Sequence, residues 1–173
     1  MSHWLNDTDS WLEIFKRKLG VTHRDLYVYL DHCIEKSTLE FIDVQACALT
    51  ACRAVGYPVF TAAIEKNMEQ SQEKAAAAIA ASMCFLNSTW INYLESINEN
   101  HQFLSEPHHV LTPNGGVSEI KFNMYCLSAC VVYGSRHEIL RHIEFLKNHI
   151  SQDQINDIVR IAAVISAAIK AQV

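Results

Sequence analysis

Ser135-Arg136-His137-Glu138, with His142 one turn further on, is the stretch of this 173-residue chain whose side chains are best placed for chemistry. It follows Gly134, which closes the apolar run from Phe122 to Tyr133. A helix, a glycine break and a second helix with polar groups in its first turn can hold side chains in a cleft. Glu138 and His142 are four residues apart and share a helix face, where a carboxylate can orient an imidazole for general acid–base work. The same spacing also describes an ordinary i,i+4 pair of small stability value. Ser135 and Glu138 together spell Ser-x-x-Glu, the capping box that starts a helix, and a carboxylate there is favoured by the helix dipole. The string from His137 through Glu138 to His142 superficially matches HExxH. Its histidines are one residue too far apart, about 140° around a helix, so they cannot chelate one ion from one face.

Other candidates carry weaker signals. Cys126 and Cys130 lie four apart in the apolar run, where an unstrained disulfide along one helix is rare, so core packing is expected. The six cysteines (Cys33, Cys47, Cys52, Cys84, Cys126, Cys130) show no CxxC and no disulfide-framework spacing. Reduced, buried thiols are the plain expectation. His108-His109 sits in a Pro- and Gly-containing loop, and a metal site drawing on it stays open, although no metal or other cofactor is expected. Trp4, Trp11 and Trp90 read as core or interface aromatics.

Helices must position these residues. Only three prolines and five glycines interrupt the chain, and period-2 alternation is scarce, so long helices joined by short turns are predicted. Thr8, Asp9 and Ser10 offer N-caps for a first helix with Trp11, Leu12, Phe15 and Leu19 at helical spacing and Gly20 at its end. Arg24 to Ile34 repeats that pattern. Ser37 with Glu40 reads as a capping box for a helix to about Val55, and Pro58 suits the first position of the next. The alanine-rich segment 73–86 is apolar on most faces, which predicts a central helix, with Asn87-Ser88 re-capping or bending the chain. Segment 105–117 is the clear loop. Helices follow over 118–133, 135–148 and from Ser151, whose pairing with Gln154 is another capping box. Leu49-Thr50-Ala51-Cys52 with Gly56 matches Leu127-Ser128-Ala129-Cys130 with Gly134 at identical spacing. The expectation is therefore a single all-α domain over 1–173 with an internal two-fold pseudo-repeat, its halves at about 37–104 and 118–173. The first half carries Ile64 where the second carries His142, so chemistry belongs to the second half.

Composition narrows the function classes. Half the residues are hydrophobic and 19% are charged, as in an ordinary globular chain. A net charge of −5 without a Lys/Arg cluster argues against nucleic acid as a partner. No apolar run reaches membrane-spanning length, and segment 1–10 lacks the apolar core of a signal peptide, so a cytoplasmic protein without membrane contact is expected.

The stretch from Phe122 to His142 resembles the alkylhydroperoxidase D family, relatives of the carboxymuconolactone decarboxylases. That family's signature is a helix bearing a glutamate, followed by Gly-Cys-x-x-Cys-x-x-x-His, commonly with a second histidine just before the second cysteine. Gly134-Ser135-Arg136-His137-Glu138-Ile139-Leu140-Arg141-His142 is the matching segment. AAAAIAASMCFLNSTWINYLE, the Pro-Asn-Gly-Gly turn and the closing SQDQINDIVRIAAVISAAIKA are similar to the family as well, so the resemblance covers most of the chain. It implies an alkylhydroperoxidase-D-like helical fold, a homo-oligomer with a trimer favoured, and a peroxiredoxin as a further partner. Position by position, Ser135 stands at the first cysteine, Glu138 at the second, and Asn123 at the helix glutamate of the proton relay, while His137 and His142 are kept. The family's reaction needs a thiolate that attacks peroxide and then a disulfide. Neither serine nor glutamate can enter that cycle. The expected function is therefore a homologue with a degenerate site, lacking CxxC-dependent hydroperoxide reduction. Two alternatives remain: hydroperoxide reduction through another thiol such as Cys126 or Cys130, and a non-redox acid–base enzyme of the decarboxylase type using Glu138 and His142.

Overall fold

Ser10 accepts a hydrogen bond from the Glu13 backbone N–H at 3.3 Å and starts the first helix, α1 (Trp11–Leu19), whose buried face is Trp11, Leu12, Phe15 and Leu19. The computed structural model describes residues 10–21, 23–96 and 114–172, and eight helices with no strand occur among them. After α1 come α2 (Arg24–Glu35), α3 (Phe41–Val55), α4 (Pro58–Asn67), α5 (Ser71–Ser96), α6 (Glu119–Tyr133), α7 (Arg136–Leu146) and α8 (Gln152–Lys170). The architecture is all-α, as the scarcity of alternation predicts. Thr8, Asp9, Trp4, His108 and His109 lie outside the described residues.

The central helices are α3 and α6, not the alanine-rich α5. Residues Val44 to Cys52 of α3 and Met124 to Cys130 of α6 are buried without interruption, the pattern of helices surrounded on all sides. They pack on each other, and both touch α5 and α8. Their register is pinned by polar groups. The Tyr125 hydroxyl donates to Asp43 Oδ1 at 3.0 Å, Lys121 Nζ lies 2.9 Å from the same oxygen, and Ser128 Oγ donates to the Cys47 carbonyl at 2.8 Å. The α5 helix buries only one face, through Ala76, Ala77, Ala80, Ala81, Cys84, Ser88, Ile91 and Leu94, and exposes Phe85, Leu86, Trp90 and Tyr93 on others. Alanine promotes helix wherever it stands, so its abundance did not indicate a central place.

Helix ends account for three further corrections. Asn87-Ser88 neither re-caps nor breaks the chain, and α5 runs through both for 26 residues. The Ser37–Glu40 box is absent: α3 begins at Phe41, and Glu40 caps without a side-chain bond. Ser37 Oγ instead contacts Asp157 Oδ2 at 3.5 Å, and that oxygen also accepts from the Thr38 N–H at 2.8 Å and its hydroxyl at 2.9 Å. A buried carboxylate on α8 has taken the donors of the α2–α3 connection, satisfying a charge that burial would otherwise penalise. The box predicted at Ser135 and Glu138 is likewise not formed, because Ser135 makes no side-chain cap bond. The serines that do cap (Ser10, Ser118, Ser151) have ψ of 145°, 155° and 158°, whereas Ser135 has ψ 97°. Ser151 and Gln154 form the predicted box in full.

Two helix–glycine–helix units are locally alike. Both α3 and α6 have 15 residues and end on a left-handed glycine (Gly56 φ 78°, Gly134 φ 72°), with α4 or α7 starting two residues later. At the other end of α6, Gly115 and Gly116 turn the chain with φ of 64° and 91° against α5. No helix among the described residues is long and apolar enough to cross a membrane.

Candidate functional site

The turn at Gly134 brings α7 back against α6, so that His142 reaches Asn123 in the first turns of α6, and α5 touches both helices. Three helices therefore deliver side chains to one buried point. Cys84 of α5, Cys130 of α6 and His142 of α7 place their sulfur and ring-nitrogen atoms all within 4.8 Å of one another. Cys84 is 1% exposed, Cys130 0% and His142 5%. Cys126, one turn before Cys130, is buried beside them, and its carbonyl oxygen lies 3.5 Å from Cys84 Sγ.

His142 is oriented by Asn123 of α6. Asn123 Nδ2 donates to the Glu119 carbonyl oxygen at 2.9 Å, a group that only accepts. The amide oxygen Oδ1 is thereby left facing His142 Nδ1 at 2.8 Å, and it too only accepts. Nδ1 must carry the hydrogen, so the neutral ring presents its lone pair at Nε2. That nitrogen lies 4.0 Å from Glu138 Oε2 and 3.3 Å from Arg141 Nη2. Glu138 is itself 3% exposed and is held by Arg141 Nη2 at 2.7 Å and by Asn87 Nδ2 at 3.5 Å. This inward set of partners is why Glu138 is not at the helix end in a capping box.

The thiols act on one another electrostatically. The Cys126 and Cys130 thiols and then the His142 ring hold Cys84 well below the ordinary thiol range, against the opposing effect of its burial. The same contact with Cys84, reinforced by burial, pushes Cys126 and Cys130 upward. Among the three thiols these contacts favour ionisation at Cys84 and oppose it at Cys126 and Cys130. Tyr133, whose hydroxyl donates to the Ala81 carbonyl at 3.0 Å, is pushed up to about 12, first by burial and then by its neighbours Cys84 and Cys130.

Of the residues singled out from the sequence, Asn123, Glu138 and His142 are brought together. Ser135 is buried at the start of α7, two residues before the exposed His137, which stands apart from the cluster face. Cys126 and Cys130 are buried, as core packing requires, but Cys130 also faces His142. Sequence reasoning missed Cys84, Asn87 and Arg141. Cys84, Asn87 and Ser88 share one face of α5 at i, i+3 and i+4, a polar stripe in an otherwise alanine-rich helix, and that was the available signal. Compared with protein-family models and with curated protein sequences, the chain matches none.

Proposed function

We propose that this chain is an alkylhydroperoxidase-D-like protein that has lost the family's CxxC route at Ser135 and Glu138 and reduces small hydroperoxides through Cys84 and Cys130. The observation that carries this reading is the buried meeting of two sulfurs and one imidazole within 4.8 Å. Once Arg141 Nη2 withdraws from its 3.3 Å contact, the lone pair at His142 Nε2 accepts the Cys84 proton. The thiolate attacks the outer peroxide oxygen, the O–O bond breaks, and the alkoxide leaves with the proton returned by His142. The Cys84 sulfenic acid is then attacked by Cys130, forming the disulfide and releasing water, and an external dithiol restores both thiols. Near-complete burial of Cys84 favours hydrogen peroxide over bulky peroxides. Cys84 and Cys130 come from different helices, so the geometry avoids the strain of a bridge along one helix.

Other parts of the resemblance go with this reading. The two helix–glycine–helix units are halves of a pseudo-repeat, supported by their matching lengths and glycine ends. Exposed Phe85, Leu86, Trp90 and Tyr93 support a homo-oligomer, a trimer by resemblance, and six free cysteines support a reducing, cytoplasmic setting. A second reading, a non-redox acid–base enzyme of the decarboxylase type, is favoured by the buried Glu138 carboxylate 4.0 Å from the His142 ring.

The test is peroxide consumption coupled to a dithiol. The native protein should turn over hydrogen peroxide, Cys84→Ser should abolish turnover, and Cys130→Ser should leave a Cys84 sulfenic acid that a dione probe traps. A native protein with no thiol oxidised by peroxide at neutral pH would overturn the redox reading and leave the degenerate-site expectation standing. Turnover surviving in Cys84→Ser would place the chemistry elsewhere.

A further inference from the structure

We propose that Cys84, Cys130 and His142 also form a binding site for a soft divalent cation, Zn²⁺, held in place by Asn123 as a positioning residue. The inference rests on the donor geometry and not on the peroxide reaction. Zinc takes thiolate sulfur at about 2.3 Å and imidazole nitrogen at about 2.0–2.1 Å in tetrahedral array, which sets ligand atoms roughly 3.5–3.8 Å apart. Three such atoms already lie within 4.8 Å of one another, on three different helices, so side-chain adjustments of about 1 Å suffice. Two thiolates and a neutral imidazole balance the charge of the ion, which makes the set acceptable at a buried point.

The His142 ring is oriented as a ligand should be. Ligating histidines donate their second ring N–H to a fixed acceptor, which sets the tautomer and aims the other nitrogen. Asn123 Oδ1 is that acceptor at 2.8 Å, and its own orientation is fixed by the bond from Nδ2 to the Glu119 carbonyl. Nε2, which faces Arg141 Nη2 at 3.3 Å, becomes the nitrogen for the metal once Arg141 withdraws. Glu138 Oε2, 4.0 Å from Nε2, is positioned to complete a fourth ligand or to hold a bound water. Arg141 Nη2 lies 3.3 Å from Nε2 and opposes an incoming cation. Its side chain is 38% exposed, so it can swing towards solvent while Glu138 turns to the metal. Arg141 thus acts as a gate: metal binding requires breaking its pair with Glu138.

The experiment uses the full chain, stripped of metal and reduced, and titrates it with Zn²⁺ in competition with a chromogenic chelator and with Cd²⁺ while following the sulfur-to-metal charge-transfer band in the near ultraviolet. One equivalent should bind with a band sized for two thiolates. Cys84→Ser, Cys130→Ser and His142→Ala should each weaken binding at least 100-fold, Asn123→Leu about 10- to 100-fold, and Arg141→Gln should strengthen it. Cys52→Ala, a buried cysteine outside the cluster, should bind as the native chain does, which separates ligand loss from loss of fold. Circular dichroism of each variant checks the helices. No charge-transfer band in the native protein, or a band unchanged in Cys84→Ser and Cys130→Ser, overturns the site. Peroxide turnover is followed in the same samples. Metal-free turnover blocked by one equivalent of Zn²⁺ supports the site. Turnover without metal binding rejects the site alone, and metal binding without turnover in the stripped protein supports the site and rejects the redox reading alone.

Discussion

Asn123 decides which nitrogen of His142 is free, and that dependence is measurable. With Nδ1 2.8 Å from an oxygen that can only accept, the neutral ring should carry its hydrogen on Nδ1. Replacing Asn123 by leucine removes the acceptor and sets methyl groups opposite Nδ1. A buried N–H left without a partner costs about 1–3 kcal/mol. The ring can avoid part of that cost by moving its hydrogen to Nε2, where Glu138 Oε2 stands 4.0 Å away as an acceptor. Either the tautomer ratio shifts about 5- to 160-fold, the same energy expressed as an equilibrium, or the native state loses the full amount. For a chain of this length that loss lowers the melting temperature by about 2–12 °C.

Long-range nitrogen–proton correlation spectra of ¹⁵N-labelled protein report the tautomer directly, and thermal unfolding reports the stability. Native His142 should appear as the Nδ1–H form. Asn123→Leu should move it towards Nε2–H and slow oxidation of Cys84 by peroxide, since no lone pair then remains at Nε2 to accept its proton. Asn123→Asp keeps an acceptor opposite Nδ1 and should keep the native tautomer. A native ring found as Nε2–H, or an Asn123→Leu spectrum and melting temperature identical to native, would refute the orientation argued for the whole site.

Three further outcomes follow from other parts of the fold. An alanine Cβ at Gly115 would stand 2.4 Å from the Ala76 backbone nitrogen, whereas one at Gly134 meets nothing within 4 Å, although both glycines are left-handed. Gly134→Ala should therefore lose about 1–2 kcal/mol of stability to left-handed strain and Gly115→Ala that plus about 1–3 kcal/mol to overpacking; equal losses in urea unfolding would count against the contact. Asp157→Ala removes the acceptor for Thr38 N–H, the Thr38 hydroxyl and Ser37, so unfolding free energy should fall by roughly 2–4 kcal/mol, tempered because exposed Thr38 regains water, and a loss near zero would show that the linkage contributes nothing. Asp31 has its carboxyl raised by burial and then by Glu35, and its Oδ1 is buried without a partner among the described residues. A raised acid favours the native state below its unfolded value and loses that advantage as pH rises, so Asp31→Asn should raise the melting temperature at pH 7 and not near pH 3. An increase of the same size at both pH values would contradict that assignment.

The helices were legible because their signals are local. The Trp11, Leu12, Phe15, Leu19 stripe, Pro58 at a first position, Gly56 and Gly134 at ends and the Ser151–Gln154 box all depend on residues within a turn or two of one another. The failures lie where tertiary packing offers a local group a different set of partners. Ser37 and Thr38 are drawn to Asp157, 119 to 120 positions away, and Glu138 turns inward to Arg141 and Asn87 rather than to a cap. Ser-x-x-Glu is a sound local rule, and it loses wherever a buried charge or a buried cluster offers the same atoms a stronger set of partners.

The cluster shows the same limit and explains the proposal. From the sequence, Cys126 and Cys130 share a helix face with each other, and Cys84 shares one with Asn87, but nothing local says that the two faces meet. That meeting depends on α5 packing against α6 in one register, with the small Ala77, Ala80 and Ala81 allowing close approach and Gly115 seated on Ala76 at the far end. His142 is the better guide to the cluster. His142 has two cysteines within 4.8 Å from other helices, and its hydrogen is fixed by Asn123. Asparagine there cannot pass a proton onward, but it can hold one nitrogen protonated and leave the other free. A site that needs only a fixed lone pair beside a thiol, whether to take its proton or to share a metal ion with it, is better served by that amide than by a carboxylate that exchanges protons.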